Sequence, residues 1–161
     1  MSSDPLGFTP HDHTRCVQSA LAEVVRLCAE RGVQMTPVRR RTFEILLEEH
    51  TAMGAYDVLA RLDAEGLGSK PPVAYRALGF LVDQGFAHRI ERLNAFIACA
   101  HPGADHNPAF MICRTCGTVA EAAAGYGPLG ASAALAGFQI EQTVIEAEGL
   151  CPLCQTPETA P

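Results

Sequence analysis

Residues 69–100 read SKPPVAYRALGFLVDQGFAHRIERLNAFIACA, and the change of period inside this stretch decides the fold. Pro71 and Pro72 pre-set the first turn of a helix, where a missing backbone N–H costs nothing, and Gly85 can end it. Val73, Ala77, Leu78 and Leu81 share one face at the helical period, and Tyr75, Arg76 and Gly79 fall on the other side. From Phe86 onward apolar and polar residues alternate on both sides of Arg92-Leu93-Asn94, which is the pattern of a β-hairpin.

Upstream of this stretch the periodicity is helical throughout. CVQSALAEVVRLCAERG, from Cys16, places Val17, Leu21, Val24, Val25 and Cys28 on one face, with Gly32 as the stop. MTPVRRRTFEILLEEH opens a second helix, with Thr36 as N-cap and Pro37 in its first turn. AYDVLARLDAEG is a third, with Leu59 and Leu62 inward and Gly66 at its end. Residues 1–14 carry Pro, Gly, Asp and His without a period and read as a loose arm. Helices followed by a hairpin are the order of a winged helix-turn-helix. HPGADHNP is a breaker-rich connector, and AFMIC, the small-residue stretch 122–136 and GFQIEQTVIEAEGLC then read as strands around a helix. The expected fold is therefore α+β: a winged helix-turn-helix over residues 1–97, a hinge over 98–107 and a small α/β domain over 108–161.

The second domain holds Cys113-x-x-Cys116 and Cys151-x-x-Cys154, with 34 residues between the pairs. Each pair is a chelating knuckle, and Gly117 helps the chain turn after the first. Four thiolates suit a closed, tetrahedral and structural zinc site that ties the two ends of the domain together. A thioredoxin-like redox pair needs only one such motif and a βαβ context, which this stretch lacks. Seven cysteines in all fit a disulfide framework poorly. Cys16 and Cys28 sit on a helix and read as small buried apolar residues.

His88, Cys99, His106 and Glu121 are the remaining good ligand types near the domain junction. Two imidazoles, one thiolate and one carboxylate would also suit zinc. Equally, His88 can be a surface residue of the hairpin, Cys99 core and Glu121 solvated. His101 is a competing ligand that spacing does not exclude.

Net charge is −6, unevenly spread. Residues 1–90 hold 10 basic against 11 acidic groups, and residues 91–161 hold 2 against 7. A near-neutral first half can still present a basic face to phosphates. Arg39, Arg40 and Arg41 at a helix start are candidates for that face, or members of a solvated charged one. Arg76 can offer a bidentate fork to guanine or meet a phosphate instead. No basic leader followed by an apolar run opens the sequence, and no apolar stretch approaches the ~18 residues of a membrane helix, so the expected location is the cytoplasm. His-Glu-x-x-His, a Gly-rich phosphate loop and a Ser elbow are all missing, and both candidate metal sites are full, so an enzyme is not expected.

Taken in order, MTPVRR, AYDVLARL, KPPVAYRALGFLVDQGFAHRIE, CRTCGTVAEA and VIEAEGLCPLC resemble the ferric uptake regulator (Fur) superfamily, most of all its zinc uptake regulator (Zur) branch, over roughly residues 16–155. The resemblance implies a homodimeric repressor of zinc-uptake genes that binds double-stranded operator DNA when zinc is bound. It implies two Zn2+ per chain, no membrane and no small-molecule substrate. It makes Cys113, Cys116, Cys151 and Cys154 the structural zinc ligands and His88, Cys99, His106 and Glu121 the regulatory ones. It sets Tyr56, Tyr75 and Arg76 at positions that meet DNA. An iron- or peroxide-responsive regulator of the same superfamily is the nearest alternative, and the Cys99 thiolate argues against it. A zinc-ribbon interaction module without DNA binding is the other, and it leaves the KPPVAYRALGFL helix unexplained.

Overall fold

The computed structural model describes Phe8 and residues 12–155, so most of the expected arm lies outside the described residues. Its last two residues differ from expectation. The first helix, α1 (His13–Arg31), begins before Cys16 because the Asp12 side chain accepts from the Arg15 N–H and caps it. Among the described residues the chain falls into two compact units that meet in sequence at Ala104 and Asp105.

The first unit holds α1, α2 (Pro37–Leu47), α3 (Ala55–Ala64), α4 (Pro71–Asp83) and the hairpin β1 (Ala87–Ile90) and β2 (Ala95–Ala98). The punctuation acts as the sequence predicts. Thr36 accepts from Arg39 N–H, Pro37 opens α2, and Gly32 takes the left-handed conformation after α1 at φ 66°. Phe43, Val58, Leu62, Leu78, Leu81 and Phe86 are fully buried and form the centre of one core built from all four helices. Val25 is the exception to the expected stripe on α1: it is exposed, and Leu27 turns inward in its place beside Val24 and Cys28. On α4 Ala74 is fully buried, so the inward face is wider than the expected four residues.

The hairpin pairs antiparallel with His88 opposite Ile97, and Met53 adds a short bridge to Phe96. After β2 the chain stays packed on the helices. Cys99 N–H donates to Phe86 O at 2.8 Å. Gly103 sits at φ +81° so close to α1 that a Cβ there would meet Leu27 Cδ1 at 2.6 Å.

The second unit is a three-stranded sheet of order β4-β3-β5, from β3 (Pro108–Cys113), β4 (Val119–Ala123) and β5 (Ile145–Gly149), with α5 (Gly127–Ala136) between β4 and β5. β3 runs antiparallel to β4 and parallel to β5. A parallel partner needs a crossover, and β4 with α5 supplies it. β4 was not separately legible, because Val-Ala-Glu-Ala-Ala carries little β propensity. Only 145–149 of the expected GFQIEQTVIEAEGLC strand is extended and paired.

Candidate metal centre and nucleic-acid interface

Sheet register brings the cysteine pairs together. Cys113 ends β3 and lies opposite Gly149 at the end of its parallel neighbour β5, so the chain leaving each strand turns beside the other. Gly117, at φ 75°, donates to Cys113 O and closes the first knuckle. A 3-10 turn at Pro152–Cys154 closes the second, with Cys154 N–H donating to Cys151 O at 2.9 Å. The four sulfurs lie within 4.8 Å of one another.

A tetrahedron with metal–sulfur bonds of about 2.3 Å has edges of about 3.8 Å. The Cys116 and Cys151 sulfurs are 3.7 Å apart, which fits such an edge. Backbone hydrogen bonds, that of Cys116 first, hold the Cys113 thiol down to about 6, and the hydroxyl of Thr118 lowers that of Cys116. Cys154 is pushed up to about 12 by its hydrogen bond with Cys151 and the crowding of neighbouring sulfurs. As thiolates the four sulfurs would repel one another at this distance, a cation among them would offset that charge, and the donor set fits zinc.

The other candidate ligands come as two pairs, one in each unit. In the first, His88 on β1 and Cys99 just after β2 hold their ligand atoms within 4.8 Å of each other. Cys99 is buried, and its sulfur accepts from the His101 N–H at 3.3 Å. His101 itself is exposed, and its backbone N–H reaches the Cys99 sulfur. In the second unit His106 Nε2 meets Glu121 Oε1 at 2.6 Å, with the Glu121 side chain 4% exposed. A carboxylate so deeply buried requires a proton or cation partner.

On α4 Tyr75 and Arg76 are exposed, and Arg76 has no ion pair among the described residues. Tyr56 on α3 is 67% exposed and stands edge to face with Tyr75, ring centroids 6.4 Å apart. The arginines of α2 differ from one another. Arg40 is exposed and pairs with Glu44. Arg41 is engaged by Glu65 at 2.6 Å and by Glu44 and Glu48, a network joining α2 to the end of α3 that Arg61 extends by pairing with Glu48. Arg39 folds back onto Phe80 of α4 and donates to Gln34 O at 2.6 Å. These internal partners are not legible in the sequence, because Glu65 and Phe80 lie 24 and 41 positions away.

The chain is 38% identical over 140 residues to the zinc uptake regulation protein of Escherichia coli (strain K12), covering 85% of this chain and 82% of that protein. A solved structure of a zinc uptake regulator complexed with zinc and DNA superposes with a TM-score of 0.80 at 38% identity, over 86% of this chain and 94% of that one. The crystal structure of holo XcZur gives 0.76 at 36% identity, over 84% and 96%. No protein-family model matches the chain.

Proposed function

The chain belongs to the family of zinc uptake regulation proteins, and from that membership we propose that it is a zinc-responsive repressor that binds operator DNA as a homodimer and controls zinc-uptake genes. The family consists of transcription regulators, not enzymes. In this reading the first unit is the DNA-binding domain, the hinge lies within 98–107 where the units meet in sequence, and the second unit is the dimerisation domain. Tyr56, Tyr75 and Arg76 face the duplex, and Arg76 presents its fork to a base or a phosphate. Exposed Leu129, Leu135 and Phe138, on α5 and its exit, support a second copy as the partner of that unit. No helix among the described residues is long and apolar enough to cross a membrane, and a cytoplasmic location accords with the role.

The observation that carries the reading is the division of donors between the units. His88 and Cys99 belong to one, His106 and Glu121 to the other, and each pair offers two of the four donors that zinc takes. We assign all four to a regulatory zinc, distinct from the structural zinc of the cysteine knuckles, which makes two ions per chain. An ion that needs both halves favours whichever arrangement joins them, and it does so only through its better affinity for that arrangement. If that arrangement sets the two recognition helices of a dimer about one helical turn, ~34 Å, apart, zinc promotes binding and DNA in turn raises zinc affinity.

The test is a zinc titration of DNA binding, read by fluorescence anisotropy on the protein's own promoter regions. The parent should gain about 5–150-fold in affinity with regulatory zinc. Cys99→Ser and His106→Ala should each lose that gain while retaining about one zinc per chain, and the double variant should be no worse than either single. His101→Ala should behave like the parent. Unchanged zinc dependence in both Cys99→Ser and His106→Ala would remove the four residues from the switch.

A further inference from the structure

We propose that Arg39 and Arg31 are positioning residues for the DNA-facing surface of α4, gripping it by cation–π contacts at two points, Arg39 on Phe80 in its C-terminal half and Arg31 at its C-cap and on Phe86 just beyond. Arg39, in the first turn of α2, holds its guanidinium carbon 3.8 Å from the centroid of the Phe80 ring. The same guanidinium donates through Nη1 to Gln34 O at 2.6 Å, which ties it to the loop before α2. Arg31, the last residue of α1, lies 5.3 Å from the centroid of the Phe86 ring. Its Nη1 donates to Gln84 O at 2.6 Å and to Gln84 Oε1 at 3.2 Å. Phe80 and Phe86 complete the row by meeting edge to face, centroids 6.4 Å apart.

The chemistry suits a grip rather than a passing contact. A flat guanidinium over an aromatic face is attracted by the ring quadrupole and still has N–H groups free to donate at its edge. Gln84 is the C-cap residue of α4, so Arg31 satisfies a carbonyl that the helix leaves without an intrahelical partner, at the negative end of the helix dipole. Both cations come from other helices; Arg39 acts on the C-terminal half of α4 through Phe80, and Arg31 on its C-cap Gln84 and on Phe86 just beyond it. Tyr75 and Arg76, in the N-terminal half, remain exposed. The clamp thus sets the tilt and rotation with which that exposed half is presented. It also removes Arg39 from the expected phosphate-binding set, since its guanidinium is already committed on its face and on its edge.

The inference rests on the reading of α4 as the recognition helix, and the experiment separates the two. Anisotropy is measured on the zinc-loaded full chain with two duplexes: one that the parent protein selects from a randomised pool, and poly(dI-dC). R39Q should bind the selected duplex roughly 5- to 30-fold more weakly, the range of a partly desolvated cation–π contact. Its affinity for poly(dI-dC) and the salt slope of its binding should stay at parent values. R39K should not restore the loss, because an ammonium cannot lie flat on the ring and hold the Gln34 carbonyl together. F80L, which keeps apolar volume but removes the ring, should show a similar loss, and the R39Q/F80L pair no more than the worse single. A salt slope reduced by about one charge in R39Q, with rescue by R39K, would make Arg39 a phosphate contact and overturn the clamp. Parent-like selectivity in R39Q and F80L, with only the melting temperature lowered, would overturn it as well. If no duplex emerges from the pool for the parent itself, the reading of α4 fails and the clamp's role in presenting it fails with it.

Discussion

Replacing Cys113 with serine removes one thiolate from the knuckles, and its effect depends on what else holds the second unit together. Seven apolar side chains are buried among the described residues of that unit: Phe110, Ile112, Cys113, Val119, Ala120, Ala133 and Cys151. Two of these are proposed ligands and two are alanines. Burying the three large ones, Phe110, Ile112 and Val119, contributes about 5–9 kcal/mol, at roughly 1.5–3 kcal/mol each. A structural zinc contributes on the order of 10 kcal/mol or more to a domain that folds around it. The metal term therefore equals or exceeds the hydrophobic one, and losing it should unfold the second unit. The first unit has a core cluster of 15 residues of its own and should survive. Heteronuclear NMR checks this residue by residue. In Cys113→Ser the amides of Phe110, Ile112 and Ala147 should collapse to random-coil positions while those of Leu59 and Leu78 keep their dispersion. Zinc added back should restore the sheet in chelator-stripped parent protein but not in the variant. A zinc-free Cys113→Ser protein whose β3 and β5 amides keep native shifts would show that the small core suffices without the metal.

Arg76→Ala should weaken specific binding by about 1–3 kcal/mol. A panel of single-base operator variants distinguishes a base contact, which blunts one position, from a phosphate contact, which weakens all equally. Gly103→Ala forces a left-handed backbone on alanine and a methyl into Leu27, and should destabilise the first unit by about 1–2 kcal/mol in urea unfolding; no change would mean that this segment does not dock on α1 in solution. The Arg41 guanidinium holds the Glu65 carboxyl below its usual 4.5, chiefly through their hydrogen bond. Because the folded value lies below the unfolded one, this pair stabilises above pH 4.5 and the contribution is lost as pH falls through the lowered value. The difference in melting temperature between parent and Arg41→Gln should therefore be constant near neutrality and shrink below pH 4.5; a difference that grows there would reverse the assignment.

Much of the first unit was legible residue by residue, because its decisive signals are local. Thr36-Pro37 starts a helix, Gly32 and Gly85 end helices, and the apolar spacing on α4 selects its buried face, all within a few residues. The Cys-x-x-Cys pairs are local in the same sense, since each knuckle is closed by its own hydrogen bonds. What joins the two pairs is not local. It is the parallel register that sets Cys113 beside Gly149, and no short-range pattern encodes a pairing made across a crossover. The same holds for side chains that the sequence left undecided. Arg39, Arg40 and Arg41 are adjacent and alike in composition, yet one lies on an aromatic ring, one is exposed and one is surrounded by glutamates. Val25 and Leu27 exchanged places for a related reason: both are apolar and near the edge of the helical stripe, and only the packed neighbours determine which is covered. Where the chain turns and which residues can bind metal are local properties, because backbone sterics and ligand chemistry belong to each residue alone. Which of those residues meet is set by the packed fold, because a contact is a property of two segments that only packing brings within reach.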